Sequence, residues 1–103
     1  MSLTPLRTLL RQEYSHEICV QILSETSRLY REDLPNRWYF LFLNRIFAGI
    51  TSNPDFYDAD KAVPVLEVLS QRAQDGIDAI EQENDSLLIY SANQLTEVYC
   101  AIP

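Results

Sequence analysis

The stretch from Pro35 to Ala48 constrains this chain most. It carries Trp38, Tyr39, Phe40, Leu41, Phe42, Leu43, Ile46 and Phe47. Wound as a helix, its polar residues Arg37, Asn44 and Arg45 share an arc of roughly 100°, which leaves an apolar arc of roughly 200° or more. A helix with one side on a core needs only about half that width. This one is predicted either to run through the centre of a fold or to turn its surplus apolar surface to a partner. Gly49 is placed to end it as a left-handed C-cap. The longest apolar run, Trp38 to Ile50, is 13 residues and is interrupted by Asn44 and Arg45. That is short of the roughly 20 a bilayer span requires, so no membrane span is expected.

The rest of the chain has helical spacing too. Thr4-Pro5 suits a helix start, with a hydroxyl N-cap and a proline in the first turn. Leu6, Leu9, Leu10 and Tyr14 then form one stripe, and Ile18, Cys19, Ile22, Leu23, Thr26, Leu29 and Tyr30 form a second. The two stripes do not share a face. A short helix over 4–14 followed closely by one over 15–31 is the favoured reading. A single continuous helix with two contact surfaces is the alternative.

Thr51 to Ala59 reads as a loop, and Asp60 as the N-cap of a helix over about 60–83, with Pro64 in its first turn. Leu66, Leu69, Ala73, Gly76 and Ile80 recur every three or four residues, a seam suited to close helix packing. Glu81, Glu83 and Asp85 sit at the end of that helix where its dipole disfavours them, a modest, solvent-screened penalty that basic groups from elsewhere could relieve. Leu88, Ser91, Leu95, Val98 and Ile102 favour a last helix, although a β-hairpin over 87–102 is the alternative. The fold class expected is an all-α bundle of four to five helices forming a single domain over 1–103.

Eight basic residues oppose fifteen acidic ones, for a formal charge of −7 in 103 residues. That argues against nucleic acid as a partner, because binding phosphates rests on Lys and Arg. The charge is uneven. Residues 1–50 carry six Arg against five acids, whereas residues 51–103 carry Lys61 and Arg72 against ten. Asp75, Asp78, Glu81 and Asp85 form a candidate acidic face for a basic partner.

Candidate chemistry is sparse. Glu13 and His16 have the Glu-x-x-His spacing of carboxylate-bridged metal bundles, but the chain holds one His. His16 is expected to be a surface residue. A His16–Cys19 dyad lacks the electropositive setting that activates a thiol. Asp55, Asp58 and Asp60 lack the Gly and closing Glu of a calcium loop. No cofactor, metal or catalytic set is expected. Met1–Pro5 leads into an amphipathic run rather than an apolar leader, so a cytoplasmic, reducing setting is expected, with Cys19 and Cys100 as small core hydrophobes.

Seven of the eleven aromatic residues fall in 38–57, namely Trp38, Tyr39, Phe40, Phe42, Phe47, Phe56 and Tyr57. Trp, Tyr and Arg dominate binding hot spots. The function expected is a non-enzymatic regulatory or scaffolding domain, homodimeric, docking a protein partner through Arg37, Trp38, Phe42, Arg45 and Ile46. The alternatives are an acidic partner-neutralising protein, or a small enzyme or ligand-binding domain with an aromatic-walled pocket.

Overall fold

A computed structural model of the chain describes residues 3–53 and 59–101, giving the backbone alone for 59–62. Among the described residues there are five helices and no strand: α1 (Thr4–Arg11), α2 (His16–Arg31), α3 (Arg37–Thr51), α4 (Ala59–Glu81) and α5 (Asp85–Cys100). The fold is all-α. The hairpin alternative over 87–102 is not formed, because α5 is one helix that buries Leu88, Ser91, Ala92 and Leu95 on one side. The helices pack as two hairpins, α2 with α3 and α4 with α5, and α1 bridges α2 to α4.

The chain breaks before Ser15, the favoured of the two readings of the stripes. Gln12 is already extended, and the Ser15 hydroxyl accepts a hydrogen bond from the Ile18 N–H at 3.1 Å to cap α2. The stripes thus belong to two helices. Leu6 and Leu10 are buried from α1, and Cys19, Ile22, Thr26 and Leu29 from α2. Their mismatch is resolved inside one chain. At the start of α1, Leu3 rather than Thr4 is the N-cap, and Thr4-Pro5 form the first turn itself.

Two glycines mark close approaches. The 66–80 seam is buried as its spacing predicts, and Gly76 lies against Tyr39: a methyl group built there would overlap the Tyr39 hydroxyl and ring. Gly49 is not a C-cap. Its φ is negative and α3 runs through it to Thr51, because Ile50 still belongs to the core. A methyl group at Gly49 would overlap the Tyr99 hydroxyl, so this glycine admits α5 rather than ending α3.

Pro64 lies inside α4 rather than in its first turn, since the helix starts at Ala59. The loop residues 54–58, including Asp55, Phe56, Tyr57 and Asp58, and the side chain of Asp60 lie outside the described residues. The α4–α5 link is a tight C-terminal motif. The Asn84 N–H reaches the Ala79 carbonyl at 2.9 Å and the Glu83 N–H reaches that of Ile80 at 3.1 Å, with Glu83 left-handed at φ 54°. Asn84 then caps α5 by accepting from the Leu87 N–H at 3.1 Å.

Candidate functional site

The helix α3 decides where a functional surface lies, because it has more apolar surface than its neighbours cover. Tyr39, Phe40, Leu43, Ile46, Phe47 and Ile50 form its core side. Asn44 faces α2, where its amide donates toward the Leu23 carbonyl, Thr26 Oγ1 and Ser27 Oγ, each at 3.0 Å. Gly49 faces α5 through Tyr99. The Tyr39 hydroxyl donates to the Ala73 carbonyl at 3.3 Å and lies within reach of Ser91, tying the start of α3 to α4 and α5. Burial pushes the Tyr39 phenol well above its ordinary value.

The remaining side faces out, and there Trp38 (44% exposed), Leu41, Arg45 and Ala48 recur every three or four positions. Trp38 is held edge-on to Tyr39, with ring centroids 5.8 Å apart. Arg45 is exposed and sits one helical turn beyond Leu41. This row is the candidate docking surface.

The five expected interface residues separate. Trp38 and Arg45 reach the surface. Phe42 is half-buried against the core. Ile46 is 4% exposed, so it belongs to the core and not to an outer face. Arg37 is engaged locally, bonded to Asp33 at 2.8 Å with its guanidinium 4.5 Å over the Tyr30 ring. Leu41 replaces Ile46 on the outer row. It sits three residues from Trp38, and the sequence pattern hid it because Asn44, counted there as solvent-facing, turns instead to α2. A second exposed apolar group, Leu87, Ile89 and Tyr90, lies in the first turns of α5.

The acidic face is largely occupied from within. Arg7 of α1 pairs with Asp78 at 2.7 Å and Glu81 at 3.2 Å, which relieves acids near the end of α4. Asp75 lies 3.8 Å from Arg72. Asp85 is exposed in the first turn of α5, where the helix dipole favours it.

The structure also separates the residues of the weaker motifs. Glu13 lies in the extended link between α1 and α2, so it does not share a helix face with His16, and both are exposed. Cys19 is fully buried. Its thiol meets Thr51 Oγ1 and the Phe47 carbonyl, and burial raises its proton affinity, the reverse of activation. Cys100 is exposed, not a core residue, because it falls on the outer side of α5. Among the described residues no three His, Cys, Asp or Glu side chains form a group able to hold a metal ion. Nor is any described helix long and apolar enough to cross a membrane.

Surface clefts lie among the described residues. One of about 470 Å³ runs between Leu10–Tyr14 and Leu66–Gln74, and one of about 190 Å³ lies between α4 and α5 over Asp75 and Tyr90. Neither has an α3 aromatic in its wall, because those rings are core or outer-row residues. Comparisons with protein-family models, with curated proteins and with solved structures give no match.

Proposed function

We propose that this chain is a non-enzymatic protein-interaction domain that docks through the outer row of α3, and that it does so as a homodimer. One observation carries the reading: Trp38 stays 44% exposed on a fold that buries Tyr39, Phe40 and Phe47 completely. A large aromatic left outside, on the same helix side as the exposed Arg45, is the composition of a binding anchor rather than of an ordinary surface. The loss of Ile46 from the surface narrows the anchor to Trp38, Leu41 and Arg45.

Trp38 is the sole tryptophan, so its emission reports on this surface alone. At micromolar concentration its emission is expected to be blue-shifted, moving to the red on dilution as the surface is uncovered. A red, concentration-independent emission that is freely quenched by iodide would remove the homodimer reading.

A further inference from the structure

We infer that the partner on this surface is a second copy of the chain laid antiparallel across it, α2 on α2 and α3 on α3, with Arg31 of each copy against Glu17 of the other. This rests on the docking role of α3 proposed above.

The surface is the side of the α2–α3 hairpin turned away from the core. The two helices are antiparallel and closely packed, and three levels fix their register. The Cys19 thiol meets the Phe47 carbonyl and Thr51, Asn44 bonds to Leu23, Thr26 and Ser27, and the Arg37 guanidinium lies over the Tyr30 ring. Ser24 is therefore level with the stretch of α3 between Leu41 and Arg45. At about 100° per residue, Glu17, Val20, Ser24 and Arg31 lie opposite the buried Cys19, Ile22, Thr26 and Leu29 of α2. All four are exposed, Val20 at 46%. The same rotation places Trp38, Leu41, Arg45 and Ala48 opposite the buried Phe40, Leu43, Phe47 and Ile50 of α3. The two rows thus lie side by side on one face, with Ser27 and Asn44 bonded between them.

Both rows are self-complementary about one level. On α3 the steps run three, four, three residues. A two-fold axis midway between Leu41 and Arg45 sets Trp38 of one copy on Ala48 of the other, a large side chain on a small one. It also sets Leu41 on the aliphatic stem of Arg45. Ser24 falls at that level, so the two copies of Ser24 meet at the axis, where their small side chains let α2 approach α2. Glu17 and Arg31 are each seven residues from Ser24, on opposite sides of it. The same axis therefore brings Glu17 of each copy to Arg31 of the other. Neither has an ion pair among the described residues. At about 1.5 Å rise per residue they stand about 21 Å apart along α2, too far to pair with each other. A parallel pairing would instead stack Arg45 on Arg45, which like-charge repulsion disfavours, and would leave Glu17 and Arg31 unanswered. The interface is isologous and closes on two copies.

Charge reversal and cross-linking test the register. Arg31→Glu and Glu17→Arg, each alone, are expected to weaken dimerisation about tenfold or more in sedimentation equilibrium at low salt, and the double variant to regain most of the loss. Because Glu17→Arg also removes a favourable charge from the first turn of α2, a variant without a charge change is needed. Ser24→Cys, in a Cys100→Ser background with Cys19 buried, is expected to give a disulfide-linked two-chain species on mild oxidation, because a residue at the axis meets its own copy. Arg31→Cys in the same background is expected to stay unlinked, since its opposite is Glu17. A double reversal no better than the single changes, an unlinked Ser24→Cys, or an Arg31→Cys that links as readily, with the parent chain still dimeric, overturns this register and leaves the docking role of Trp38 standing. A monomeric parent chain overturns both.

Discussion

Tyr39 and Gly76 form the contact on which the two hairpins meet, and the pairing explains why a glycine persists in mid-helix. Replacing Gly76 by Ala gains about 1 kcal/mol of helix propensity in isolation. Here the added methyl overlaps the Tyr39 ring and hydroxyl. The expected net result in urea unfolding is a loss of about 1–2 kcal/mol, the usual effect of overpacking. Glu83 shows the opposite case: it occupies a left-handed position at φ 54° where an L side chain is strained. Glu83→Gly is expected to raise stability by about 1 kcal/mol in the same assay. Titration belongs to this scale as well. Burial holds the Tyr14 phenol up to about 12 and raises the Cys19 thiol and the Tyr39 phenol. All three hold their protons more tightly folded than unfolded. Their contribution is therefore complete below their ordinary values near 9 and 10, and is lost as pH rises through and above that range. The melting temperature is expected to fall above about pH 9, and Tyr39→Phe to make the fall shallower.

At the scale of elements, α1 is held to α4 by charge as well as by Leu6 and Leu10. Arg7 is 17% exposed, but Asp78 and Glu81 are about half exposed, so the ion pairs contribute modestly. Arg7→Ala is expected to cost about 1 kcal/mol at low salt and less in about 1 M NaCl, because screening weakens the pairs that are lost. All five helices were legible from spacing, as were the Ser15 break and the buried 66–80 seam. The ends of elements were less so. Gly49 carries the residue type of a C-cap, and only the arrival of Tyr99 from a distant part of the chain gives it another role. Thr4 and Pro64 were each misplaced by a turn or less, since capping preferences are shared by neighbouring positions. The docking surface was half legible. Trp38 and Arg45 followed from residue type and spacing, whereas the exchange of Ile46 for Leu41 depends on how far α3 is rotated against α2. Asn44 sets that rotation, and its three acceptors come from the backbone and hydroxyls of another helix.

For the whole molecule, the packing explains most of the surplus apolar surface of α3 and leaves a remainder. The core and α2 enclose most of the helix, with Tyr39 and Gly49 reaching α4 and α5, and the remaining side leaves Trp38 and Arg45 exposed and Leu41 half-buried. The charge of −7 takes on a more local meaning. Part of the C-terminal excess is answered by Arg7 from the N-terminal half, which pairs with Asp78 and Glu81. The account therefore expects self-association rather than capture of a strongly basic partner. Light scattering after size exclusion, at micromolar concentration and low salt, tests this most directly. The mass of two chains, falling to that of one in Trp38→Ala, is the expected result; a single-chain mass for the parent protein would contradict the central claim.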